Sequence, residues 1–170
     1  MKQNKERTIT KTLLTIYLIF LTWIIVFKME IHLNTLFHMQ YRNINLIPFY
    51  GSLIVNGKIE LSEIILNILA FIPFGIYISI LKEEWNFFQK ALPVFCVSFT
   101  YETLQFIFGI GASDITDLIG NTLGGVIGIV LFRLLSKVMK EYTIKIVNRL
   151  AVIGTAGILL LSGVLIFANI

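Results

Sequence analysis

Five apolar runs dominate this chain, at residues 9–27, 61–81, 91–110, 115–135 and 150–168. Each approaches or exceeds the roughly 20 helical residues needed to cross a hydrocarbon core. Lipid offers no hydrogen bonds, so segments of this length and polarity must satisfy their own backbone, and consecutive helices are the expected result. With 56% hydrophobic and 14% charged residues in a chain of 170, little is left over for a water-soluble domain. The expected fold is all-α: a polytopic integral membrane bundle of about five transmembrane helices, forming one domain over residues 1–170. The first run follows Lys2, Lys5, Arg7 and Lys11 as a signal peptide would, but it is long and ends in bulky residues at 23–27 with no small-residue cleavage site. It reads as a retained helix.

Short cytoplasmic segments carry the excess of Lys and Arg, which orients the chain. With the N-terminus inside, the inner face holds the four residues just named, then Lys82 and Lys90, then Arg133, Lys137, Lys140, Lys145 and Arg149. Only Lys28, Arg42 and Lys58 fall outside, so eleven of the fourteen basic residues share one face. The expected location is a multi-pass cell membrane protein with its N-terminus in and its C-terminus out. The formal net charge of +4 is then a topology signal and not a nucleic-acid footprint.

The only long connection, residues 28–60, lies on the outer side. Its 45–50 and 53–55 stretches suit an interfacial cap over the helix ends, and Asn56-Gly57 marks a turn. The inner loop at 82–90 carries Trp85 as an interfacial anchor. Cys96, the one cysteine, sits in an apolar run, which excludes a disulfide framework and a thiolate metal site. Pro73 should kink the second span, and Gly120, Gly124 and Gly128 at four-residue spacing should let another backbone approach the fourth.

Polar residues interrupt the spans in a pattern. Glu102 lies within the third run, roughly 12 Å beneath Ile110 at 1.5 Å per residue, and shares a helix face with Ser98 and Gln105. Asn67 lies roughly 9 Å below the start of the second run and shares a face with Glu63. On the fourth, Asp114, Asp117 and Asn121 fall on the side of the glycine stripe. Three helices thus place polar groups in the outer half of the membrane, and a polar cavity open to the outer side is expected.

Each element also has a plain role. Asp114 and Asp117 are spaced as a helix N-cap and a first-turn acid, and Asn67 and Asn121 as interhelical hydrogen-bond glue. Glu102 is harder to explain structurally, since glutamine would cost less at that depth, and an intramembrane acid is a functional-site candidate by default. Glu63, Glu102, Asp114 and Asp117 offer the oxygen ligands that Mg²⁺ or Ca²⁺ prefers, with Asp114 and Asp117 foremost, but no tight ligand motif accompanies them. His32 and His38 are poorly spaced for zinc.

Taken in order, Asn45-Leu-Ile-Pro48-Phe49, then Asn67-Ile-Leu-Ala-Phe-Ile-Pro73-Phe-Gly75, then Glu102-Thr-Leu-Gln105 and the block from Asp114 through Asp117 and Asn121 to Gly124-Gly125 resemble the VanZ-like family of bacterial membrane proteins. The motif-bearing part spans about 41–128. The resemblance implies reduced susceptibility to teicoplanin and related lipoglycopeptides. Many relatives carry arginine where this chain has Gly111, and Arg42 offers a guanidinium on the same side in its place.

Two functions follow as expectations. One is a non-enzymatic resistance factor that binds a lipid-linked peptidoglycan precursor, or the lipoglycopeptide itself, through Arg42, Glu63, Asn67, Glu102, Gln105, Asp114, Asp117 and Asn121. The other is a membrane enzyme acting on a polyprenyl-phosphate or lipid headgroup with Glu102 as general base.

Overall fold

The apolar runs are helices in the computed structural model, which describes residues 2–27, 41–49, 54–55, 58–59 and 61–168. Helix α1 covers Lys2–Ile25, α2 Ser62–Leu81, α3 Phe87–Phe108 and α4 Ile115–Met139; a 3-10 turn at Lys140–Tyr142 leads into α5, Thr143–Ala168. His32, His38 and the Asn56-Gly57 turn lie outside the described residues. Large apolar side chains such as Leu66, Phe88, Phe99 and Leu160 face outward from these helices. Only lipid would cover a surface of that kind.

The count of spans differs from the expected five. Four stretches are long and apolar enough to cross a membrane: Asn4–Ile25, Ser62–Leu81, Phe87–Phe108 and Ile115–Val164. The last combines the expected fourth and fifth, because no polar loop separates α4 from α5. What breaks the helix there is Lys140, whose φ of 49° lies outside the helical region.

Helix ends are fixed locally. α3 starts with a capping box, in which the Gln89 amide donates to Asn86 Oδ1 and the Asn86 amide donates to Gln89 Oε1, each at 2.9 Å. It stops at Gly109, whose φ of 66° a Cβ would disfavour. α2 begins without a side-chain cap but has Glu63 in its first turn, where a negative charge complements the helix dipole.

The closest helix pair is α2 against α4. A Cβ on Gly124 would run into the Ile68 carbonyl oxygen, and one on Gly128 into that of Ile72, so the glycine stripe does admit a second backbone. Gly75 meets the Gly125 carbonyl from the other direction, and Gly125 seats the Val94 side chain of α3. Gly120 is looser: its nearest neighbour would be 3.8 Å away, an ordinary contact.

α1 closes the bundle. Leu21, Val26, Phe71 and Val94 are almost wholly buried between α1, α2 and α3. The Tyr17 hydroxyl donates to the Ala70 carbonyl, in the turn that Pro73 loosens, so α2 runs unbroken through its proline. At the opposite end Asn148 of α5 ties to α1, accepting from the Thr10 hydroxyl at 2.8 Å and donating to the Glu6 carbonyl at 3.0 Å.

The connections between helices hold short strands that helical periodicity did not reveal. β1 (Tyr41–Asn45) runs parallel to β4 (Ile110–Asp114), with Arg42 opposite Gly111 and Asn45 opposite Asp114. β2 (Ile54–Val55) and β3 (Lys58–Ile59) pair antiparallel. The β1–β4 ladder packs on the C-terminal end of α3.

Gly124→Ala should cost about 1–3 kcal/mol through forced separation of α2 and α4, whereas Gly120→Ala should stay within about 0.5 kcal/mol. Thermal unfolding of the two variants in detergent micelles checks this. Equal melting temperatures would contradict the packing described.

Candidate functional site

The third helix directs three polar side chains inward. Ser98, Glu102 and Gln105 follow i, i+4, i+7 spacing, share one face, and are all buried. Glu102 is 4% exposed. The Asp114 amide, at the junction of β4 and α4, donates to Glu102 Oε2 at 2.9 Å. Gln105 Nε2 donates to the Ile25 carbonyl at 2.8 Å, satisfying an orphan group at the end of α1.

α4 supplies the opposing residues. Asn121, fully buried, donates to Ser98 Oγ at 3.0 Å. One turn nearer the helix start, Asp117 Oδ1 accepts from Asn67 Nδ2 of α2 at 2.8 Å. Asp114 is the N-cap, its Oδ1 accepting from the Thr116 amide at 2.7 Å. Both asparagines therefore serve as interhelical hydrogen-bond donors.

The segment from Asn45 to Phe49 is anchored to the same place. Asn45 Nδ2 donates to Asp114 Oδ2 at 3.1 Å, and the Phe49 amide donates to the Thr116 hydroxyl at 2.9 Å. Asn45-Leu-Ile-Pro48-Phe49 thus rests against the start of α4, with Phe49 at φ 64°. The sequence offered Asn45 and Thr116 only as members of motifs, and gave no sign that they meet.

Asn67, Glu102, Gln105, Asp114, Asp117 and Asn121 are therefore brought to one end of the bundle, where Ser98 joins them. Arg42 lies at its edge, exposed, with Nη2 donating to the Ile107 carbonyl at 3.3 Å, and sits directly across the ladder from Gly111. Glu63 stays exposed in the first turn of α2 and outside the buried cluster. Ser98, Glu102, Gln105 and Asn121 are buried, each at most 4% exposed.

Three acceptors in this packed cluster lack a hydrogen-bond donor: Glu102 Oε1, Gln105 Oε1 and Asn121 Oδ1. An unmet buried acceptor costs about 1–3 kcal/mol, so the cluster is short of donors. Among the described residues no three His, Cys, Asp or Glu side chains gather as ligands, and both Asp114 oxygens are engaged by protein donors.

The arrangement of the Asn45, Asn67, Glu102–Gln105 and Asp114–Gly125 segments around one site coincides with a match to the VanZ/LLP1 family model over residues 14–136. The chain belongs to the VanZ/LLP1 family. It is 38% identical to Protein VanZ of Enterococcus faecium over 161 residues, covering 95% of this chain and 93% of that one. No solved structure matches. The matched region contains every residue of the buried cluster and ends before α5.

Asp114→Ala should cost about 1 kcal/mol through loss of the cap and release the 45–49 segment, while Asp114→Asn keeps a capping oxygen. Thermal unfolding, together with amide hydrogen exchange at Phe49 and Thr116, measures both effects. Equal protection in the two variants would count against the capping role.

Proposed function

We propose that this chain lowers bacterial susceptibility to teicoplanin-type lipoglycopeptides, and that the buried cluster around Glu102 faces the outside of the cell and binds the lipid-linked cell-wall precursor or the drug. The observation that carries this reading is the set of three unmet acceptors on Glu102, Gln105 and Asn121. A ligand rich in hydroxyl and amide donors would satisfy them, as sugar and peptide groups do. The charge bias supports the orientation. On the five-span reading of the sequence eleven of fourteen basic residues share the face of the N-terminus, which favours an outward β1–β4 ladder.

Access to Glu102 runs past the ladder. Its anchors are the Asn45–Asp114 and Phe49–Thr116 hydrogen bonds, both at the edge of the cluster. Release of those contacts uncovers the Asp114 amide and with it the Glu102 carboxylate. Arg42, exposed beside Gly111, then presents a cation to an incoming anionic group such as a pyrophosphate.

A second reading rests on Glu102 Oε1 alone. A buried carboxylate with one oxygen held and the other unengaged is placed as a general base would be, acting on a polyprenyl-phosphate or lipid headgroup.

Glu102→Gln keeps the size and the acceptor for the Asp114 amide but removes the charge. The variant should lower teicoplanin resistance while membrane insertion and melting temperature stay near those of the parent. Full resistance with normal insertion would rule out a functional role for this acid. Incubating the purified protein with lipid-linked precursor separates the readings, because product formation abolished by Glu102→Gln favours the enzyme and unchanged precursor with retained binding favours the binding site.

A further inference from the structure

At the other end of the bundle, roughly 30 Å away along the 20 residues of α2, lies a cavity of about 1030 Å³ that the proposed function does not use. Its walls come from the end of α2, the loop into α3, the last turns of α4, the 3-10 turn and the start of α5. Five cations line it: Lys90, Arg133, Lys137, Lys140 and Lys145. Three acids, Glu6, Glu83 and Glu141, line it as well. Two of these are already engaged, since Arg7 pairs with Glu83 at 2.8 Å and Asn148 Nδ2 donates to Glu6 Oε2 at 3.0 Å. Counting Arg7, six cations stand against three acids, and the excess is positive.

The positive-inside bias accounts for basic residues on this face but not for their gathering around a cavity. The remaining lining separates into two kinds. Ile129, Phe132 and Ile144 give the cavity an apolar wall, whereas the lysines stand at the helix ends. Trp85, with the Lys82 ammonium 4.9 Å over its ring, sits at the rim as membrane-interface anchors do. A basic pocket between helix ends, backed by apolar side chains at the membrane surface, has the chemistry that receives a phosphate headgroup and the upper part of its acyl chain.

We infer that this cavity is a second ligand site, binding a phosphate-bearing amphiphile of net negative charge from the adjacent leaflet, with its phosphate among Arg133, Lys137 and Lys140 and its tail against Ile129, Phe132 and Ile144. The site is independent of the Glu102 cluster and of any activity there. It brings α3, α4 and α5 together around one anion, where the protein itself offers mainly mutual repulsion between cations.

Trp85 lines the cavity and provides the probe. The full chain carrying Trp23→Phe, which leaves Trp85 as its single tryptophan, is placed in phosphatidylcholine nanodiscs, and brominated phosphatidylglycerol or brominated phosphatidylcholine is titrated in. Quenching of Trp85 should show a marked preference for the anionic lipid. Arg133→Gln and Lys137→Gln should each weaken that preference about fivefold, the effect of about 1 kcal/mol per cation. Lys11→Gln and Arg149→Gln remove charge from the same face without touching the cavity and should leave it unchanged. Equal losses from both pairs would reduce the effect to general surface attraction and overturn the proposal. So would absence of lipid preference in a folded parent protein. Inorganic phosphate is the third arm: relief of quenching at millimolar concentration would assign the site to a free phosphate and overturn the amphiphile.

Discussion

The close approach of α2 and α4 organises everything else in the bundle. Without side chains at Gly124 and Gly128, the carbonyls of Ile68 and Ile72 reach the surface of α4 directly. Lipid tails are as apolar as the helices themselves, so association in a membrane depends on such contacts and on interhelical hydrogen bonds. One of those bonds, Asn67 to Asp117, lies about two to three turns from the glycines on the same interface. Another, Asn121 to Ser98, brings in α3, and Gly125 receives Val94 beside it. The packing that holds the fold together thus also fixes the depth and direction of the polar side chains.

The Glu102 carboxylate, on the face α3 turns inward, is held by a backbone amide at the start of α4 and is 4% exposed. The same junction carries the N-cap of α4 and the anchor of the Asn45 segment through Asp114. One aspartate therefore connects helix initiation, the β1–β4 ladder and the covering of the buried acid. Its two oxygens serve different partners, which is why a residue interpretable as a simple cap is also part of the site.

The two ends of the bundle differ in kind. Around Glu102 the groups are buried and short of donors, whereas the other end holds a cavity rich in cations. α5 attaches only to the second end, through Asn148 against Thr10 and Glu6. Farther along α5, Gly154, Gly157 and Gly163 have no neighbour within 4 Å. Small residues on that helix have no packing role of the sort they have on α4.

The sequence by itself determined the helical class, the approximate helix positions, the glycine face of α4 and the shared face of Ser98, Glu102 and Gln105. Each is a property of near neighbours along one helix, set by hydropathy and by rotation of 100° per residue. It also marked Asp114 as a cap, since capping is local. It pointed to two separate spans where α4 and α5, distinct helices joined by a 3-10 turn, form one continuous apolar stretch. Tertiary structure alone decided the rest. The ladder that sets Asn45 against Asp114 and Arg42 against Gly111 joins segments 69 residues apart, and five-residue strands without strong alternation give no register to read. The burial of Glu102 and the cavity at the opposite end depend on how closely helix ends meet, and that distance comes from backbone contacts between helices, which no single helix encodes.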